Sequence, residues 1–513
     1  MAISIRTRSI GGAPNKAMIT IVTMAATIMQ VLDTTIANVA LPHMQGSISA
    51  AQDQITWVLT SYIVAAAIMT PLTGWLADRF GRKRLMLWSI VGFTIASGLC
   101  GVAANLSELV GFRLLQGVCG AALMPMSQAI MLDINPPERH GPAMAIWGMG
   151  AILGPILGPT LGGYLTDNFS WRWIFYINLP VGLLAFMGFS AFLGESRIGE
   201  RTRLDFFGFA MLALAIGSLQ MMLDRGQQLD WFSSFEICAE AAGALLCAYL
   251  FVVHILTARK PFIDVALFKD RNFVVGSLFG FFLGATLFAV LALLAPMLEN
   301  LMGYPVMLTG LVTMPRGIGT MISMIVVGQL IRWVDARILI ITGLGFCALS
   351  MYRMAGFSLG MGESLVITSG FIQGIGTGMI FVPLSTSAFA SLGARYRNEG
   401  AAMFSLIRNM GSAVGISVLQ AMTIRNAASV HSRLVEGVRP DNPALQWRLP
   451  GFDFNLPASV ARLNGEITRQ AAMVSYTDAF WALFVVTVVV MPMVLFMRPP
   501  RASAGERVVM HVD

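Results

Sequence analysis

Residues 148–163 read GMGAILGPILGPTLGG, with Gly150, Gly154, Gly158 and Gly162 spaced four apart and Pro155 and Pro159 each following a glycine. In a helix this spacing draws a ridge without side chains. Soluble helices avoid such a run, because an interior Gly costs about 1 kcal/mol and a Pro about 3 kcal/mol relative to Ala. A bilayer tolerates both, and small residues let helix backbones approach closely. The stretch, closed by Gly163, is read either as a generic packing face or as a bent membrane helix that packs tightly and seals a pathway.

Composition places the whole chain in the same solvent. Of 513 residues, 56% are hydrophobic and only 12% charged, too few charges to solvate a soluble surface of that length. Mean hydropathy is +0.71, as expected for an all-α polytopic membrane protein. Stretches long enough to cross about 30 Å of hydrocarbon lie near 17–40, 54–76, 85–104, 107–132, 141–165, 173–193, 205–223, 235–257, 272–298, 306–331, 337–357, 364–391, 400–424 and 478–497.

Charge orients these fourteen spans. With a cytosolic N-terminus, every lysine (Lys16, Lys83, Lys260, Lys269) falls inside, with Arg79, Arg82, Arg84, Arg139, Arg197, Arg201, Arg203, Arg259, Arg271, Arg332, Arg337, Arg395, Arg397, Arg498 and Arg501. The short outer connections hold Arg172, Arg225 and Arg353. This is the positive-inside pattern, and an even span count leaves both termini in the cytosol. The connection 425–477 is outer yet carries six arginines, which a loop of that length tolerates. It is read equally as a partner-facing segment or a tolerated insertion. The net charge of +7 meets anionic lipid at the inner boundary and calls for no nucleic acid. Five cysteines, all in apolar spans, offer no disulfide framework.

The chain repeats with an offset of about 255 residues. Gln116-Gly117 and Met124-Pro125 in span four match Gln373-Gly374 and Val382-Pro383 in span twelve, and Gly74-Trp75-Leu76 matches Gly328-Gln329-Leu330. Both matches lie eight spans apart, so two six-span halves are separated by two extra spans. The expected organisation is an N-terminal segment 1–16, a first bundle 17–193, an inserted pair 194–271, a second bundle 272–497 with its outer loop 425–477, and a tail 498–513. Six plus two plus six pseudo-symmetric helices suit a transporter whose bundles rock about a central site.

Several residues in this frame can carry chemistry. In Gly74-Trp75-Leu76-Ala77-Asp78-Arg79-Phe80-Gly81-Arg82-Lys83-Arg84, Gly81 permits a tight turn and Asp78 can pair with an arginine or cap a neighbouring helix, closing an inner gate. Asp33 lies inside an apolar span, roughly 24 Å above its inner edge, and is the candidate carrier of one proton. Arg113, about 9 Å below the outer edge of span four, falls at a similar depth and is its candidate partner. Span twelve has Gly370 at the matching position, so the charge is kept in one half only. Asn38, Gln116, Glu299, Arg316 and Arg408 are further candidates for substrate binding or coupling, with structural pairing the competing and more ordinary role for Glu299, Arg316 and Arg408. Thirty-four Met and thirty-two Phe are compatible with a pliable apolar cavity.

The loop after span two resembles the signature of the major facilitator superfamily. The Gly/Pro run resembles the antiporter motif of its drug exporters, and LDTTIANVALP at 32–42 resembles the fourteen-span drug:H+ antiporter family, the EmrB/QacA branch. WRWIFYINLP at 171–180, LDFFG at 204–208, GSLQMMLDRG at 217–226 and LDWFSS at 229–234 are similar to the EmrB group. The resemblance covers the chain apart from 425–477. It implies the major facilitator fold and proton-driven export of lipophilic toxic compounds from the bacterial inner membrane, with no cofactor. It also implies a periplasmic adaptor and an outer-membrane channel as partners. Proton-coupled transport of one metabolite on the same fold, or a non-transporting membrane sensor, are the alternatives. An ATP-driven pump or enzyme is disfavoured, since no Gly-Lys pair forms a Walker A loop and the five histidines are scattered.

Overall fold

One proline marks a break between helices, and glycines set how closely the helices pack. The computed structural model describes residues 16–194, 203–259, 261–393, 396–439, 442 and 455–497. Residues 1–15, the tail 498–513, Arg197, Arg201, Lys260, Arg395 and most of 440–454 lie outside the described residues.

The first half comprises α1 (Lys16–Ile48), α2 (Trp57–Met69), α3 (Leu72–Phe80), α4 (Arg82–Val102), α5 (Leu106–Gly120), α6 (Leu123–Ile134), α7 (His140–Asn168) and α8 (Asn178–Phe192). The inserted pair is α9 (Phe206–Arg225) and α10 (Phe235–Thr257). The second half comprises α11 (Arg271–Pro296), α12 (Val306–Leu330), α13 (Ala336–Met354), α14 (Glu363–Ala390), α15 (Arg397–Glu436) and α16 (Pro457–Val490). Thirteen helical stretches are long and apolar enough to cross a membrane. The pair α2 and α3, bent by 57° at a break of a few residues, makes the fourteenth span. Pro71 stands at that break, where its missing N–H ends one helix and its fixed φ starts the next. All described regular structure is helical.

Within the first half, α1 lies between α7 and α8, and α5 packs on α2 and α4. In the second half, α11 packs on α15 and α14, and α12 on α14. The inserted pair packs on itself and bridges the halves, α9 touching α2 and α15. Thr60 donates to Asp224, and the Ser417 hydroxyl donates to the Leu223 carbonyl at 2.7 Å.

The repeat is visible as exchanged contacts. An offset of 254 residues carries Gly74 onto Gly328 and Ala145 onto Glu399. A Cβ on Gly74 would stand 2.9 Å from Glu399 Cα, and one on Gly328 2.9 Å from Ala145 Cβ. Each half thus presses a glycine onto the same turn of the other. Inside the halves, a Cβ on Gly117 would fall 2.5 Å from the Tyr62 carbonyl oxygen, and one on Gly374 2.9 Å from the Arg316 carbonyl carbon.

The connection expected over 425–477 is mostly helix. The helix α15 runs 40 residues to Glu436 and α16 begins at Pro457. Asn426 donates to Asp478 at 2.5 Å and His431 meets Asn464 at 3.0 Å, so the two extensions continue side by side. An apolar reading stops where polar residues begin, although α15 itself carries on.

Candidate functional site

The helix α1 places Asp33 inward, 1% exposed, and three side chains from two other helices, α5 and α8, converge on it. Arg113 Nη1 donates to Oδ2 at 2.7 Å, while Gln116 Nε2 and Asn178 Nδ2 each donate to Oδ1 at 2.8 Å. The guanidinium is fixed in turn: Nε donates to the Val58 carbonyl at 3.0 Å and Nη1 to Gln116 Oε1 at 2.8 Å. Its plane lies 4.3 Å from the Tyr62 ring and 5.7 Å from Phe175. Asn178 also donates to Ser97 Oγ at 3.0 Å, and Ser97 donates to the Phe175 carbonyl at 2.9 Å. Sharing one carboxylate among three donors is how a buried charge is made tolerable. It also means that a proton arriving on Asp33 removes the attraction holding Arg113.

Depth arithmetic along two separate spans anticipates the Asp33–Arg113 pair, and Gln116 joins it. Tyr62, Ser97 and Asn178 are additions. Asn178 was within view as the one amide in the YINLP stretch, whereas nothing in the sequence distinguishes Ser97. Asn38 stands apart from the cluster, exposed, with its amide on its own helix at the Thr34 carbonyl. Glu299 sits in a π-helical turn, Met297–Leu301, and makes no ion pair among the described residues.

The glycine ridge meets the opposite side of the same turn of α1. A Cβ on Gly154 would lie 2.6 Å from Val31 Cγ1 and 2.9 Å from the Leu32 nitrogen. One on Gly158 would lie 2.8 Å from Thr35 Cβ, and one on Gly162 3.2 Å from the Ile36 carbonyl oxygen. Thr35 Oγ1 lies 3.1 Å from the Gly154 carbonyl oxygen. Pro155 and Pro159 stand within one uninterrupted helix. The ridge is shorter than its sequence. Gly150 has ordinary contact with Met24 at 3.6 Å, and Gly163 has only Val306 at 4.0 Å. Gly150 is the one member of the four-residue series that lies off the contact, while Gly163, one residue after Gly162, is turned about 100° away from it. A second ridge that the sequence reading passed over, Gly411 and Gly415 on α15, packs on the Phe281 and Ala285 backbone of α11.

At the end where α3 meets α4, Gly81 adopts φ +87°, the conformation that glycine allows and other residues resist. The turn aims Arg82 at Asp133 on α6, and Arg397 at the start of α15 donates to the same carboxylate at 2.7 Å. Asn398 donates to Asp78 at 2.6 Å. Asp78 thus meets the first turn of a helix from the other half through a side-chain amide. Arg79 stays on its own side, stacked 5.0 Å from Trp75. Farther along the same boundary, Trp147 of α7 stacks on Phe381 of α14 at 5.8 Å. The basic end is closed in this conformation. Asp133→Asn is expected to loosen it. A cysteine introduced by Ile331→Cys, at a residue packed on Gly141, should then react several-fold faster with a membrane-impermeant maleimide, and equal rates would mean that Asp133 does not hold this end shut.

Residues 23–416 match the profile of the Major Facilitator Superfamily. The chain belongs to that superfamily. Over 493 residues this facilitator is 37% identical to the protein named multidrug export protein EmrB of Escherichia coli (strain K12), covering 95% of this chain and 96% of that one. It is 36% identical over 484 residues to the fatty acid resistance protein FarB of Neisseria gonorrhoeae, covering 94% and 96%. The solved proton:xylose symporter XylE superposes with a TM-score of 0.58 at 14% identity, over 93% of this chain and 96% of that one, a likeness of fold alone. The facilitator is thus a multi-pass membrane protein of a transporter superfamily. Its fourteen spans are arranged six plus two plus six.

Proposed function

We propose that the chain exports lipophilic small molecules across the bacterial inner membrane, driven by the proton gradient, without a cofactor or enzymatic step. Both termini face the cytosol in this reading, which the distribution of lysine and arginine supports. The observation that carries it is Asp33, an acid buried in a membrane helix, held by Arg113, Gln116 and Asn178 on one side of α1 while Gly154 and Gly158 pack on the other. Intramembrane acids are costly and mark proton paths.

Residues 17–193 and 272–497 act as the two rocking bundles, with α9 and α10 riding between them. With the cytosolic end locked by Asp133, Arg397, Asp78 and Asn398, a proton reaches Asp33 from the outer side. Neutral Asp33 releases Arg113, and α1 shifts against the ridge. Because the ridge leaves no gap along Val31–Ile36, movement of α1 carries α7 with it, and α7 touches α12 across the boundary. Rocking then opens the cytosolic end, where the proton leaves and substrate enters. The relatives' names support export of varied compounds. The paired extensions of α15 and α16 beyond the outer boundary support a periplasmic adaptor, and through it an outer-membrane channel, as partners.

The test is transport by the purified chain in proteoliposomes. A panel of lipophilic anions, cations and neutral compounds is presented with and without an imposed pH gradient. Export of at least one class that stops when a protonophore collapses the gradient is expected. Gradient-independent flux, or accumulation in the direction of proton entry, would overturn the reading.

A further inference from the structure

The turn that joins α9 to α10 holds a conformation that ordinary side chains resist. Asp230 and Trp231 are consecutive and both left-handed, at φ +54° and +53°, although neither is glycine. Such strain persists only where neighbours impose it. Here the Trp231 backbone N–H donates to the Gly226 carbonyl at 2.7 Å, and its indole Nε1 donates to Gln227 Oε1 at 3.2 Å. A Cβ on Gly226 would stand 2.8 Å from the same indole ring. The turn is thereby fixed, and it presents Trp231 and Phe232 as one wall of a cavity whose other wall is α15.

The cavity measures about 590 Å³. Just below it the Ser417 hydroxyl donates to the Leu223 carbonyl at 2.7 Å, which ties α15 to the end of α9. On α15 the lining residues Val418, Met422, Arg425 and Ser429 follow at steps of three and four, so a single helix face turns from apolar to polar. At 1.5 Å per residue from Gly400, where the apolar span begins, Val418 stands about 27 Å up and Arg425 roughly 38 Å. A hydrocarbon core of about 30 Å therefore ends between them, and the guanidinium lies at headgroup level. Phe232 and Phe235, 65% and 89% exposed, suit the same boundary.

Arg425 is exposed, and among the described residues no carboxylate pairs with it. Arg225, at the end of α9, is by contrast paired with Glu236 and lies 5.3 Å from the Trp57 ring. Arg316 and Arg408 are buried elsewhere, Arg316 donating to the Leu287 carbonyl at 3.1 Å and Arg408 meeting Met124 Sδ at 3.2 Å. An apolar slot that ends in an unpaired cation at phosphate depth has the layout of a glycerophospholipid. A protein segment would have to enter the hydrocarbon to fill it, and a neutral apolar molecule would leave Arg425 unanswered. We propose that the cavity holds one anionic glycerophospholipid, its phosphate at Arg425 and Ser429 and the first methylenes of an acyl chain between Phe232 and Met422. It comes from the leaflet away from Arg397, the outer one under the topology proposed above. A zwitterionic lipid carries its own countercharge, so a net negative headgroup is the better complement to a lone arginine. This lipid is a fixed part of the assembly and not cargo: it fills the angle between the inserted pair and the second half.

The test is lipid photolabelling without substrate or gradient. The full chain is placed in phosphatidylcholine nanodiscs with a trace of phosphatidylglycerol bearing a diazirine near the top of one acyl chain, and labelled peptides are identified by mass spectrometry. Label is expected on 231–232 and 418–422. Unlabelled phosphatidylglycerol should compete for it and phosphatidylethanolamine should not. Arg425→Gln should weaken apparent binding about fivefold, the worth of one cation at an anionic headgroup, and Ala421→Trp, which fills the cavity, should abolish labelling. Both variants should melt with the parent protein. Arg433→Gln, exposed on the same helix about two turns farther out, is the control and should leave labelling unchanged. Equal competition by phosphatidylethanolamine, or undiminished labelling in both cavity variants, would overturn the proposal. So would displacement by the lipophilic cation tetraphenylphosphonium, which would make the cavity a drug site. No flux is read, so failure of the transport reading would leave these outcomes unchanged.

Discussion

Asp33→Asn is expected to reduce gradient-driven efflux in proteoliposomes to that of protein-free liposomes, while exchange of labelled for unlabelled substrate without a gradient continues. Asn keeps the shape of the protonated acid and can still meet Gln116 and Asn178, so the cycle can turn without moving a proton. What it loses is the charge opposite Arg113, at 2.7 Å in a fully buried setting. Stranding that arginine should cost about 3–5 kcal/mol of stability. A fall in melting temperature is therefore expected, and it must be separated from the loss of coupling. Adding Arg113→Gln removes the stranded charge. The double variant should recover stability but not coupled efflux. Coupled efflux in Asp33→Asn at the parent rate would transfer the proton to another group.

The second large effect is expected at the ridge. Gly158→Leu should abolish coupled efflux, because even a Cβ there presses on Thr35, beside the turn that bears Asp33. Overpacking a close contact costs about 1–3 kcal/mol and shifts backbone. Here the shift separates α7 from α1 and breaks the mechanical link between proton site and bundle boundary. Gly163→Leu is the control: it introduces the same side chain on the same helix, with only Val306 as near as 4.0 Å. It should retain most of the activity and the full amount of inserted protein. Equal loss in both variants would mean that the ridge matters only for insertion, and equal retention would make it ordinary packing.

The comparison of these two glycines shows what was legible in the sequence. Spacing of four announces a close-packing helix, but which glycines face the partner depends on how a 3.6-residue turn rotates under that spacing and on where α1 lies. Asp33 and Arg113 were readable because depth in a bilayer is counted along each span separately, and equal depth is a strong constraint. Gln116 was legible only as a further candidate, and its place one turn from Arg113 brings it into the cluster. Ser97 and Asn178 stayed hidden, since a small polar residue in an apolar helix gives no sign of what it faces. The sharpest lesson is Gly370. It reads as the place where the second half drops its arginine, yet the space is occupied by Arg316 from the facing helix, a substitution across space that alignment along the chain does not reveal. The fourteen spans were legible from hydropathy alone. The reach of α15 was not, because its last turns leave the hydrocarbon while keeping their hydrogen bonds.

That reach has a mechanical meaning. The helix α15 is 40 residues long and contains no proline, so it forms a rod of about 60 Å, twice the thickness of the hydrocarbon it crosses. One end is Arg397 and Asn398, clasped to Asp133 and Asp78; the other is tied to α16 through Asn426 and His431. A stiff rod pivoting near its midpoint is a lever with equal arms, and a tilt of about 10° swings each tip by roughly 5 Å in opposite directions. If the clasp unfastens by such a tilt, the projecting pair on the other side of the membrane moves with it.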